Sequence, residues 1–202
     1  LVAAGEWLEL QMPSPPIIPA PGAEIPHVTW DRARFSPDAP WPVESVLAGG
    51  SLERLFVDVD GGEPWAWVAA DSGATPGQAN PTAARLREAA FGAGQADLEI
   101  AGALSDPDGD GVSNFAELAA GTDPKNPASR LKLSANAAGT ALVVEAAEGR
   151  IYAVESLAEF PGADWAEAGR PAPGPARQIE IPFGTPGGPS RFWRVRLISR
   201  EL

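Results

Sequence analysis

Glycine and proline interrupt this chain so often that no long regular element fits between them. Each occurs 22 times in 202 residues. The densest run, "PSPPIIPAPG" from Pro13 to Gly22, cannot enter the middle of a sheet, because proline has no N–H to give to a ladder. It reads as an extended surface connection. Helices broken this frequently stay short, so the pattern favours turns and short strands. With 44% apolar residues the chain can still bury a real core and is not disordered by composition.

Between the breaks lie short apolar segments. "EWLEL" at 6–10, "HVTW" at 27–30, "SLERLFVDV" at 51–59 and "WAWVAA" at 65–70 carry alternating, aromatic or β-branched residues and read as strands. The same holds for "RLKLSA" at 130–135, "TALVVEAA" at 140–147, "RIYAVESL" at 150–157, "RQIEIPF" at 177–183 and "RFWRVRLIS" at 191–199. In the last of these, Trp193, Val195 and Leu197 alternate with Phe192, Arg194 and Arg196, which predicts one apolar and one charged face. Residues 81–104 differ: Leu86, Ala90 and Phe91 have helical spacing after Asn80-Pro81, and Gly92 and Gly94 end the helix.

"PWPVESVLAGGSLERLFVDVDGGEPWAWVAADSGATPGQAN", Pro40 to Asn80, resembles the C-terminal half of a bacterial lamin-tail domain. That resemblance implies an immunoglobulin-like β-module, here reduced, serving as an accessory part of a larger secreted or surface protein. "YAVESLAEFPGADWAEAG" followed by "RFWRVRL" resembles the β-module that closes many large secreted bacterial proteins after an acidic repeat. It implies attachment or display and assigns no catalytic residue.

The most specific spacing lies in "SDPDGDGVSNFAELAAGTDPKNP", Ser105 to Pro127. Counting from Asp106, carboxylates fall at positions 1, 3 and 5 as Asp106, Asp108 and Asp110. Gly111 stands at 6, Val112 at 7, Asn114 at 9 and Glu117 at 12. This is the twelve-residue EF-hand register for Ca2+. Calcium takes several hard oxygen ligands, and alternate short side chains on a tightly curved loop converge on one point. Gly111 permits the turn, the Val112 carbonyl supplies an oxygen, and Glu117 closes the shell from a helix that runs to Gly121. The alternative is an exposed acidic turn before a capped helix. Against it, three aspartates within five residues repel one another unless a cation lies between them. The segment resembles thrombospondin type 3 repeats and dockerin-like loops, and through that likeness Asp123 in "GTDP" adds a further oxygen outside the loop. One loop without a pair implies a structural site and not a sensor.

Other chemistry is thin. A net charge of -12, with only two lysines, opposes nucleic acid and anionic membrane surfaces. Cysteine is absent, which removes disulfides and thiolate chemistry. His27 is the single histidine, and without a G-x-S-x-G or H-E-x-x-H motif it reads as a strand residue. The seven tryptophans read as core packing before sugar stacking, with Trp65 and Trp67 placed on one strand face. No apolar run spans a membrane. The opening "LVAAGEW", with no initiator Met, basic n-region or apolar h-region, reads as the result of a removed signal peptide or, the favoured reading, as an excised part of a longer protein.

The expected fold is therefore mainly β: two small antiparallel β-sandwich-like modules joined by a short helical linker with a calcium loop. Residues 1–80 form the partial lamin-tail-like module, 81–129 the linker and 130–202 the C-terminal sandwich. The expected function is non-enzymatic: a calcium-binding structural, adhesion or assembly module of an extracellular or cell-surface protein. Its partners are other domains of the parent protein or neighbouring subunits. A carbohydrate-binding accessory module of an extracellular hydrolase and a filament component are the alternatives.

Overall fold

The computed structural model describes residues 7–14, 25–42, 50–71, 73–75, 77–78, 80–159, 164–170, 177–182 and 191–200. It is mainly β, built from small antiparallel sheets and, among the described residues, three short α-helices. Two compact units divide the chain, Leu1–Ala83 and Ala84–Leu202.

The N-terminal unit contains two antiparallel ribbons. Strands β1 (Trp7–Pro13) and β2 (His27–Arg34) pair from Trp7↔Arg34 to Pro13↔His27, with a bulge that leaves Trp30 unpaired. Strands β3 (Leu52–Arg54) and β4 (Trp67–Ala69) form the second ribbon. The segment 51–59 is a strand only at its start. Leu55 and Phe56 are consecutive and both buried, which no alternating strand allows, and both donate their N–H to the Ala66 carbonyl. Trp65 likewise leaves the predicted strand face, because Pro64 opens a 3-10 turn over Pro64–Ala66. Trp41 is buried and packs its ring 6.4 Å from that of Trp67. The prolines of 15–21 and the turn at 183–190 lie outside the described residues.

The C-terminal unit begins in helix α1 (Pro81–Phe91), followed by α2 (Leu98–Ala101) and α3 (Asn114–Ala120). Ala90 and Phe91 of α1, Ala101 of α2 and Leu118 of α3 share one small core. Two three-stranded antiparallel sheets complete the unit. One has the order β5 (Leu133–Ala135), β6 (Ala141–Ala146), β9 (Arg177–Pro182); the other has β10 (Phe192–Arg200), β7 (Arg150–Leu157), β8 (Ala166–Gly169). Leu142, Val144 and Ile181 of the first sheet meet Val154, Trp193 and Val195 of the second, which makes this a sandwich. The alternation expected of β10 holds: Trp193 and Val195 face the core, while Arg194 and Arg196 pair with Glu155 at 2.6 and 2.7 Å.

Candidate metal centre

The acidic loop is closed at its neck before its carboxylates are placed. The N–H groups at the start of α3 would be orphaned. Instead Asn114 donates to the Ser105 carbonyl at 2.8 Å, Phe115 donates to that of Ala103 at 2.9 Å, and the Ser113 hydroxyl accepts from Ala116. The Asn114 side chain is fully buried, and its amide nitrogen donates to the carbonyls of Ile100 and Gly102. Residues 100–105 are thus stitched to 113–115, and the segment between them is forced into a tight turn.

Within that turn Asp106 organises the backbone. Its carboxylate accepts from the N–H groups of Gly109 at 2.9 Å, Asp110 at 3.2 Å and Gly111 at 2.9 Å. These bonds hold its carboxyl below the usual range, with the Gly111 N–H the largest cause. Gly111 has φ 88°, a left-handed conformation that favours glycine. Asp108 and Asp110 each spend one oxygen on the N–H two residues on, at 3.2 and 2.8 Å. Carboxylate oxygens of Asp106, Asp108 and Asp110 come within 4.8 Å of one another.

Glu117 stands outside that triad, one turn into α3, and is fully buried. Thr122 donates to its Oε1 at 3.3 Å. Burial first, then the charges of Asp108, Asp110 and Asp106, push its carboxyl up to about 7. Among the described residues of the loop and α3, four buried oxygens have no hydrogen-bond partner: Asp108 Oδ2, Asp110 Oδ2, Asn114 Oδ1 and Glu117 Oε2, and of these Asp110 Oδ2 has the Arg130 guanidinium beside it as an ion pair. Leaving such groups unsatisfied costs on the order of 1–3 kcal/mol each, more when charged, so the donor set fits a hard cation that accepts oxygen ligands. Val112 is half-buried and donates its N–H to Asp110. Asp123 lies apart from the triad; it is exposed and accepts from Lys125 N–H at 3.1 Å.

Helix α3 ends as deliberately as it begins. Gly121, with φ 79°, caps it and donates to the Glu117 carbonyl, and a Cβ there would meet that of Ala147 at 2.6 Å. The other three terminal carbonyls turn to β7. Arg150 donates to Leu118 at 2.9 Å and Ala119 at 2.7 Å, and the Tyr152 hydroxyl donates to Ala120 at 2.8 Å. A cation at a helix C-terminus is also favoured by the helix dipole. Arg150, Tyr152 and Arg130, which pairs with Asp110, are not legible in the sequence as part of the site. Nothing in their spacing ties them to the loop.

An acidic turn with this closed neck and these oxygens without hydrogen-bond donors is a site able to hold a metal ion. Residues 106–127 match the family model of the bacterial TSP3 repeat, a calcium-binding type. No curated protein and no solved structure matches the chain. Among the described residues no helix is long and apolar enough to cross a membrane.

Proposed function

We propose that this chain is a non-catalytic, calcium-binding structural module of a larger secreted or cell-surface protein. The observation that carries the reading is Glu117, a wholly buried carboxylate with one oxygen unpartnered, set where three aspartate charges oppose its ionisation. A chain that folds this way gains from a cation and loses without one. Asp106, Asp108, Asp110 and Glu117, with the Val112 carbonyl, would hold the ion. Asn114 would brace the neck with its amide and offer Oδ1, and Asp123 is the outermost candidate. Calcium would supply the positive charge that lets these carboxylates stay together, and so fix α3 against β7. Extracellular modules of this kind bind at roughly 0.1–1 mM. The lamin-tail likeness of residues 40–80 belongs to the same reading, as an accessory module concerned with adhesion or assembly.

The test is calorimetric calcium titration with thermal unfolding, on the native chain and on Asp108→Ala and Glu117→Ala. Saturable binding that raises the melting temperature and disappears in both variants is the expected result. Three chains that melt alike in millimolar calcium would reduce the loop to an acidic turn.

A second reading, carbohydrate binding, is favoured by one feature of the N-terminal unit. Trp30, the bulge residue of β2, is 68% exposed and borders a groove of about 570 Å³ with Thr29, Arg32, Asp58 and Asp60. An exposed indole beside polar groups suits the apolar face and hydroxyls of a sugar. Neutral oligosaccharides that quench tryptophan emission in the native chain but not in Trp30→Ala would support it, and no change in either would dismiss it.

A further inference from the structure

We propose that Arg130 is a built-in counter-ion that competes with calcium for Asp110, so that the loop keeps its shape without the ion and takes it up only at high concentration. This rests on the calcium reading above. Asp110 has one oxygen committed, since Oδ1 accepts the Val112 N–H at 2.8 Å. Oδ2 is the oxygen left for a cation, and Arg130 Nε lies 3.2 Å from it. The same guanidinium donates through Nη1 to the Asp110 carbonyl at 3.4 Å. Among the described residues this is the one ion pair made to the carboxylates of the loop.

The two partners differ in what they lose on separation. The Asp110 side chain is 0% exposed, whereas that of Arg130 is 46% exposed. Asp110 without a cation is a buried, unpaired carboxylate beside two others, which is costly. Arg130 released from Asp110 swings into water at little cost. An exchangeable cation on a fixed anion is the arrangement a competitor requires. A calcium ion on Oδ2 brings two positive charges to one oxygen, and their repulsion falls on the group that is free to leave. An arginine that served only to orient Asp110 for calcium would leave binding weaker when removed, so the two roles differ in sign.

Arg130 also precedes Leu131, which packs on the sandwich core. The side chain that calcium displaces is therefore one residue from a core contact and three from β5, and loop occupancy bears on the lead into that strand.

The experiment uses the full chain: calorimetric calcium titration, and thermal unfolding in excess chelator, for the native protein, Arg130→Gln and Arg130→Lys. Arg130→Gln is expected to bind calcium roughly three- to tenfold more tightly and to melt lower than the native chain without calcium. Arg130→Lys, which keeps the charge but cannot place two nitrogens on Asp110, is expected to bind about twofold more tightly. Measurable binding by the native chain with equal or weaker binding by the variants overturns the competition and leaves the calcium site standing. Binding by Arg130→Gln alone supports it. No binding by any of the three at about 10 mM calcium removes the site itself, and the competitor with it.

Discussion

The hold of β7 on helix α3 is expected to dominate the stability of the candidate metal centre, and Arg150→Met isolates it. The variant keeps the aliphatic stem and deletes the two charged donors that reach Leu118 at 2.9 Å and Ala119 at 2.7 Å. Hydrogen bonds from a charged group contribute about 1.5–3 kcal/mol each. Arg150 is half-buried, so water reaches part of the gap and the lower half of the range applies to each bond. The helix-dipole contribution of a C-terminal cation adds about 0.3–1 kcal/mol. The expected loss is about 3–5 kcal/mol, or a fall in melting temperature of about 15 °C for a unit of this size. Urea unfolding with chelator and with saturating calcium measures it. Because α3 carries Glu117, calcium should also stabilise Arg150→Met less than the native chain. Tyr152→Phe, which loses one donor to Ala120, should cost about 1–2 kcal/mol. An Arg150→Met chain within about 0.5 kcal/mol of native, in both conditions, would refute the idea that β7 holds the helix.

Other consequences are equally open to measurement. Glu117→Gln at pH 8 should stabilise the calcium-free chain by about 1–3 kcal/mol, by removing a buried charge, yet weaken calcium binding at least about tenfold; a loss of stability without calcium would contradict the burial argument. The pH dependence has a definite sign. Folding raises the Glu117 carboxyl from 4.5 to about 7, so the folded chain holds that proton more tightly. The resulting stability is present below 4.5 and is lost as pH rises through about 7. Calcium needs the carboxylate, so its affinity should rise with pH up to about 7 with proton release, and titrations in buffers of different ionisation heat would detect this; pH-independent binding without proton release would contradict it. Gly121→Ala should cost about 1–3 kcal/mol in either calcium state, since the left-handed backbone and the Ala147 contact both oppose a Cβ; unchanged urea midpoints would show that the cap can rearrange.

How much of this was legible in the sequence depends on the distance over which each feature is decided. The triad of Asp106, Asp108 and Asp110, the turn at Gly111 and the Gly121 cap are fixed by neighbours within a few residues, and spacing alone reveals them. Strand β7 is legible at its observed limits, 150–157, because turn residues bracket a run of apolar positions. Residue type alone extends the β3 segment too far, because Leu55 and Phe56 look like strand residues while both are spent on the core. The charged face of β10 was visible as alternating arginines, but its partner was not. Glu155 sits within "YAVESL" as one acidic residue among 27, and only the antiparallel register Arg194↔Glu155 brings it there. Pairing across 39 residues leaves no local trace.

The same reasoning explains how the single acidic loop of residues 106–117 is ordered. In stacked repeats each unit relies on its neighbour to cover what it cannot satisfy alone. Here the exposed need is the C-terminus of α3, a helix of 7 residues, far too short to persist by itself. Arg150 and Tyr152 meet that need by donating to three of its four terminal carbonyls, and Leu118 reaches the core shared with α1 and α2. A peptide spanning residues 97–130 keeps every proposed ligand and α2 but loses α1, Arg150 and Tyr152. It should therefore show no helical circular dichroism and bind calcium at least about tenfold more weakly than the full chain. A helical peptide with native affinity would show that the loop needs no sandwich behind it, and that β7 merely rests against a unit already complete.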